Sequence, residues 1–115
     1  MFEWLRDLMV GSPTYTAHVT GEGFLTSVNA QYERGKDGAQ IDMNFSEPVR
    51  DGNNINHMNI RDPETGTIVG DYDLRTGETG LDLNSEIDYS IEYDLVFVDQ
   101  DGNAVSEQNV VIERH

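Results

Sequence analysis

The sequence predicts an all-β domain, an antiparallel β-sandwich of about seven strands preceded by one short N-terminal helix. Apolar and polar residues alternate in several short runs, and clusters of Gly, Asn, Asp and Pro separate these runs. Helical spacing of apolar residues occurs only in residues 2–10. A length of 115 residues is close to the usual size of one domain, so a single core is expected. The change from helical spacing to alternation divides the chain into an N-terminal segment, 1–12, and a sandwich domain, 13–115.

The N-terminal segment has the pattern of an amphipathic helix. Its apolar stripe and the flanking positions contain Phe2, Leu5, Met9, Trp4 and Leu8. A helix this short is marginal in water and needs apolar cover. Two interpretations stay open: the helix caps the open end of its own sandwich, or it docks on another chain with Trp4 as the anchor. The second is preferred because two sheets already close a sandwich core, and it predicts that Phe2, Trp4, Leu5, Leu8 and Met9 bind a partner.

The first half of the sandwich contains three predicted strands. Tyr15, Ala17 and Val19 mark the first strand, and a glycine turn follows it. The second strand places one set of even-numbered residues on one face: Phe24, Thr26, Val28, Ala30 and Tyr32. After a hairpin loop at 34–38, the third strand buries Ala39, Ile41, Met43 and Phe45. Pro48 then ends the pairing, since proline cannot donate to a ladder.

The second half begins with a strand of mixed pattern, 55–61, whose position at the centre or the edge of a sheet the sequence leaves open. A turn at 62–66 precedes a strand whose apolar positions are Ile68, Gly70, Tyr72 and Leu74. A short strand, 81–83, leads to the clearest one, 87–98. Its odd-numbered residues form one apolar face: Ile87, Tyr89, Ile91, Tyr93, Leu95 and Phe97. Val96 and Val98 indicate that its end is covered on both sides, and a hairpin at 99–103 opens the last strand, 104–113.

Residues 83–89, in which Leu83 stands six positions before Tyr89, resemble the fibronectin type III pattern. In that family the Leu and Tyr open the penultimate strand and form a tyrosine corner. The likeness covers about the last third of the chain. It departs at Ser85, where the family has proline, and the core tryptophan of the family has no counterpart, because Trp4 lies before the sandwich. The resemblance implies an immunoglobulin-like or fibronectin type III-like topology and no particular activity.

The charge of the chain is strongly acidic, with 22 Asp and Glu, 7 Lys and Arg and a formal net charge of −15. Lys36 is the only lysine. Such like charge repels itself in ordinary salt, whereas in molar salt the Debye length falls to about 3 Å. The composition is typical of a halophilic protein. The sequence has no cluster of basic residues that could neutralise phosphates. Its composition therefore argues against nucleic acid and against an anionic membrane surface as partners.

Candidate chemical sites are few. Asp99-x-Asp101-Gly102-Asn103 resembles a calcium loop, but the glycine and the bidentate glutamate of an EF-hand are missing from their positions. A hairpin turn fits better. His18, His57 and His115 are far apart, with His18 expected in solvent and the terminal His115 expected to be mobile. Carboxylate pairs such as Asp71/Asp73 and Asp82/Glu86 are expected by chance among so many acids.

These observations favour a non-enzymatic structural or interaction protein with no cofactor and no metal. The preferred hypothesis is a small capsid decoration protein, turret or tail/adaptor component of a haloarchaeal virus particle, located in the virion. Its partners would be copies of itself in a homo-oligomer or other particle subunits. One alternative is a cell-surface immunoglobulin-like module that binds glycan or protein. The other is a small hydrolase on a sandwich scaffold. The alternative location to the virion is the cytoplasm or the cell surface of a halophile.

Thermal stability should rise with salt, because the repulsion among the carboxylates is then screened. We expect the Tm to increase by more than about ten degrees between 0.1 M and 2 M KCl. Calorimetry in KCl and in NaCl of equal ionic strength tests this, since screening predicts similar curves in the two salts. A Tm that does not change with salt would contradict the halophilic interpretation.

Overall fold

Two antiparallel β-sheets packed face to face form the domain. The computed structural model describes residues 14–32, 39–85 and 91–115. Within them are eight strands: β1 (Tyr15–Thr20), β2 (Leu25–Tyr32), β3 (Ala39–Phe45), β4 (His57–Arg61), β5 (Ile68–Asp73), β6 (Gly80–Ser85), β7 (Ile91–Val98) and β8 (Ala104–Arg114). The only helical element of these ranges is a 3-10 turn, Asp51–Asn53. The all-β prediction is confirmed, and the predicted N-terminal helix lies outside the described residues.

The larger sheet has five strands in the order β1-β8-β7-β4-β5, and the smaller sheet has three in the order β2-β3-β6. All pairs of neighbours are antiparallel. Strand β7 pairs with both β8 and β4, and β4 pairs with both β7 and β5. The middle strand, whose position the sequence left open, is therefore an internal strand.

The predicted alternation is confirmed where strands cover the core. In β3 the residues Ala39, Ile41, Met43 and Phe45 are all buried. In β7 the residues from Leu95 to Val98 are buried on both faces, as predicted for this end of the strand. Exposed His18 alternates with half-buried Ala17 and Val19 in β1, which agrees with a histidine in solvent.

Two irregularities overturn parts of the predicted pattern. The register of β2 shifts between Leu25 and Ser27, so Thr26 is exposed while both Phe24 and Leu25 are buried. The register of β5 shifts as well, and Ile68 pairs with Arg61 on the outer face of the larger sheet. Ile68 is consequently 53% exposed, although it was predicted to face the core. A bulge turns side chains to the other face of a strand, and alternation alone does not reveal it.

The core is most densely aromatic at one end, where β1 finishes and β2 begins. Here the ring of Phe24 stacks on Phe45 at 4.9 Å between centroids and meets Phe97 edge-on at 5.1 Å. Phe97 is fully buried. We call the end of the sandwich that contains these three rings the upper end. The lower end holds the start of β1 and β7 and the end of β2 and β8, because Tyr15 pairs with Arg114 and Ile91 with Ile112.

The two sheets are joined at the upper end by the buried side chain of Gln108. Its Oε1 accepts a hydrogen bond from the Leu25 amide at 2.8 Å, and its Nε2 donates to the Leu25 carbonyl at 3.0 Å and to the Gly21 carbonyl at 3.2 Å. The Ser106 hydroxyl accepts from the Phe24 amide at 2.9 Å. A Cβ on Gly23 would collide with Ser106 and Gln108, so this approach requires glycine.

Gln108→Leu should destabilise the domain although it keeps the size and burial of the side chain. The substitution leaves the amide and carbonyl of Leu25 without partners, and each unsatisfied buried group costs about 1–3 kcal/mol. We expect a loss of about 2–6 kcal/mol in denaturant titration at high salt. Gln31→Leu, at an exposed strand position, is the matched control and should change stability by less than about 0.5 kcal/mol. Equal effects of the two variants would show that the amide bridge is unimportant.

Candidate functional site

An apolar cleft between the two sheets is the most distinctive surface feature of the described residues. Its volume is about 220 Å³. The smaller sheet contributes Ile41, Met43, Leu83 and the polar Asn84, and the larger sheet contributes Ile60, Val69, Gly70, Tyr72, Ile91, Tyr93, Leu95, Val110 and Ile112. We call this the apolar cleft. Its lining reaches from β8 to β5 across four neighbouring strands of the larger sheet.

The position of the apolar cleft follows from how the sandwich edges meet. On one side β1 lies against β2 and covers the core. On the other side no comparable contact between β5 and β6 occurs in the described chain. The edge strand β5 also exposes Ile68 and Val69, at 53% and 57%. The sandwich is therefore closed along β1 and β2 and leaves apolar surface uncovered near β5 and β6.

Two residues of the apolar cleft depart from the predicted core pattern. A Cβ at Gly70 would come within 3.3 Å of the Ile60 Cδ1 atom and 3.5 Å of the Tyr72 ring, so these two side chains pack closely against the Gly70 backbone. Tyr93, predicted as a core residue, is only half-buried and faces the cleft. A glycine inside a strand pattern often marks a bulge or a close approach of neighbouring groups. Gly70 lies beside the bulge of β5 and is the residue from which the sequence could have indicated this irregularity.

The predicted partner-binding residues Phe2, Trp4, Leu5, Leu8 and Met9 lie outside the described residues. The first described residue, Thr14, belongs to the lower end. Its carbonyl accepts a hydrogen bond from the His115 amide at 2.7 Å. The His115 ring nitrogen Nε2 lies 2.9 Å from the Thr16 hydroxyl, so the terminal histidine lies beside the start of β1.

The outer face of the larger sheet carries a row of paired polar side chains. His57 Nδ1 lies 2.7 Å from an Asp73 carboxylate oxygen and 3.6 Å from Asp71. With its amide oriented to satisfy both neighbours, Asn59 donates to Asp71 at 3.0 Å and accepts from Arg61 at 3.3 Å. The pair Asp71/Asp73 thus lies beside polar side chains of β4, with the Asn59 amide donating to Asp71 and the His57 ring close to both carboxylates.

One pair of carboxylates faces each other without a cation between them. Asp42 in β3 pairs in register with Asp82 in β6. A side-chain hydrogen bond with Asp42, followed by the negative charge of Asp42 and by desolvation, raises the pKa of the Asp82 carboxyl above its ordinary value. The other partner suggested for Asp82, Glu86, lies outside the described residues.

The loop that resembles a calcium site forms a hairpin turn. One Asp99 carboxylate oxygen accepts hydrogen bonds from the amides of Asp101 and Asn103, both at 2.9 Å. Gly102 has a φ of 83°, which favours glycine. The Asp99 side chain is therefore occupied in holding the turn. Across the ranges that the structure describes, no group of three or more His, Cys, Asp or Glu side chains could hold a metal ion.

Comparison with known protein families, characterised proteins and solved structures finds no match to this chain. Among the described residues, no helix has the length and apolarity needed to cross a membrane. Within the described residues, the candidate binding surface is the apolar cleft together with the exposed β5 edge.

Asp82→Asn should stabilise the domain near neutral pH at low salt. In the native chain the shared hydrogen bond stabilises the fold fully below the ordinary aspartate pKa, and this contribution is lost as pH rises through the raised pKa of Asp82. Above that pH both carboxylates are charged and repel, and the asparagine removes this repulsion. Thermal melts should show a gain at pH 7 that shrinks in 2 M KCl and on acidification.

Glu64→Gln is the control, because it changes the net charge equally in an exposed turn. If both variants raise the Tm by the same amount, the effect belongs to net charge and not to the facing pair.

Proposed function

We propose that the protein is a non-enzymatic structural subunit of a salt-adapted assembly, with protein partners that include copies of itself. The observation that carries this proposal is the open β5 side of the sandwich, where Val69 is 57% exposed at the rim of the apolar cleft. Ile68, which is 53% exposed, adds an apolar side chain on the outer face of the same edge strand. A free edge strand beside an apolar groove is also a usual place for chains to associate.

The finer architecture that we propose is a fibronectin type III-like unit with one additional strand. Leaving out β1, the strand orders β2-β3-β6 and β5-β4-β7-β8 correspond to the three-stranded and four-stranded sheets of that resemblance. The first strand then adds to the β8 edge. The part of the tyrosine-corner pattern that can be located is Leu83, which faces the apolar cleft from β6.

The strongly acidic surface supports assembly under high salt. Two copies with a net charge of −15 each repel strongly in dilute buffer. In molar salt the repulsion is confined to contacts within about 3 Å, and burial of apolar surface then decides association. The context that fits best is a capsid decoration, turret or tail/adaptor protein in the virion of a haloarchaeal virus, with Phe2, Trp4, Leu5, Leu8 and Met9 as partner-binding residues.

The alternative of a glycan- or protein-binding module calls for aromatic side chains exposed near loops. Tyr15 and Tyr72 pack against the core instead. For this reason the structural role is favoured.

Self-association in high salt tests the proposal. We expect light scattering in 2 M KCl to show an oligomer of the full chain, and deletion of residues 1–12 to abolish it while the Tm of the sandwich stays nearly unchanged. Glu3→Ala, which alters the same segment but not its apolar residues, should assemble like the native chain. A full chain that stays monomeric at high concentration in 2 M KCl would contradict the structural role.

A further inference from the structure

We infer that Asn44 is an acceptor site for N-linked glycosylation, with a sugar attached to its side-chain amide nitrogen. Asn44, Phe45 and Ser46 form the acceptor pattern Asn-x-Ser, in which the middle residue is not proline. No other asparagine of the chain is followed two positions later by Ser or Thr. The inference goes beyond the proposed function, because assembly does not require a covalent modification.

The two polar residues of the pattern are both exposed, while the residue between them is buried. Asn44 lies in β3, Phe45 ends that strand, and Ser46 follows in a bend. The ring of Phe45 stacks on Phe24 in the core. Because successive side chains of a strand point to opposite faces, the burial of Phe45 places the Asn44 amide on the outer face of the smaller sheet.

The neighbours of Asn44 on both adjacent strands are small. Asn44 is in register with Ser27 in β2 and with Gly80 in β6. A side chain at position 80 is excluded, since a Cβ there would collide with the Met43 carbonyl oxygen. No large side chain therefore stands directly beside Asn44 in either neighbouring strand, and this leaves room for a bulky sugar.

The Asn44 amide can keep its contact with the sheet when a sugar is attached. Its Nδ2 donates a hydrogen bond to the Ser27 hydroxyl oxygen at 3.0 Å. In the transfer, Nδ2 loses one proton and bonds to the anomeric carbon of the sugar, while the bond from that carbon to the phosphate of a lipid-linked donor breaks. The second hydrogen of the amide nitrogen remains and can still donate to Ser27.

The face that carries Asn44 is suited to remain in solvent. All its paired residues with side chains are polar: Ser27, Asn29, Gln31, Gln40, Asp42, Asn44, Asp82 and Asn84. The apolar cleft lies on the inner side of the same sheet, where Ile41 and Met43 line it from β3. A sugar on Asn44 thus points away from the surface that the proposed assembly uses.

Export of the full chain through an N-glycosylating cell tests the inference. Phe45 is buried, and the Ser46 amide donates to the Phe24 carbonyl at 2.7 Å, so a transferase reaches this segment before the sheets close. The full chain, behind a cleavable export signal, is therefore made in a haloarchaeal host that N-glycosylates its exported proteins. Mass spectrometry of the exported chain should show the added mass of a glycan, and peptide fragmentation should locate it at Asn44.

Four variants made in the same host distinguish the pattern from its surroundings. Asn44→Gln removes the acceptor, and Ser46→Ala removes the hydroxyl that the pattern requires; each should lose the whole added mass. Ser46→Thr keeps a hydroxyl and should carry the glycan. Asn29→Gln, at an exposed position of the same face outside the pattern, is the matched control and should be modified like the native chain.

An unmodified native chain overturns the inference when a reference protein with an established Asn-x-Ser site is modified in the same cells. A glycan that persists in Asn44→Gln overturns it as well. Light scattering in 2 M KCl separates these results from the proposed function. If the native chain carries the glycan but neither it nor Asn44→Gln assembles, the inference stands and the proposed function fails; an unmodified native chain that assembles gives the reverse.

Discussion

The amide of Gln108 is the interaction on which the closed side of the sandwich depends. Antiparallel sheets that face each other have no backbone hydrogen bonds between them, so a chain that crosses from one sheet to the other leaves polar groups to be satisfied. Gln108 bonds to both the amide and the carbonyl of Leu25, as a neighbouring strand would. Because this side chain belongs to β8 and Leu25 to β2, it joins the two sheets where the chain crosses between them.

Among the described residues, the opposite side has no such bridge, and this difference makes the two sides of the sandwich unequal. At the upper end, three phenylalanine rings fill the space between the sheets. Towards the lower end and the β5 edge, Ile91 and Tyr93 are only partly covered. Apolar side chains such as Ile60, Tyr72 and Leu83 are therefore less completely covered than the phenylalanine rings of the upper end.

Charge acts on this architecture in two ways. On the outer face of the larger sheet, the His57 ring lies close to the carboxylates of both Asp71 and Asp73. In the smaller sheet, Asp42 faces Asp82, and the repulsion between these two carboxylates is reduced by salt. We therefore expect the net charge to make the stability of the fold depend on salt, and under the proposed function the apolar surfaces decide where copies associate.

The sequence by itself determined the class of fold and most of the strands, because alternation and turn residues are local properties. The buried faces of β3 and β7 and the hairpin at Asp99 agree with that pattern. The acidic composition and the apolar N-terminal segment were also evident, and from these came the hypothesis of a salt-adapted, associating protein.

Only the tertiary structure decided which strands are neighbours and where the core remains open. The internal position of β4, the bulges that expose Thr26 and Ile68, and the apolar cleft all depend on pairing between residues distant in the chain. The same holds for Gln108, which stands at an apolar-face position of β8 and is satisfied only because Leu25 lies opposite it. Local periodicity specifies which face of a strand is apolar, whereas contacts between sheets specify how completely that face is covered.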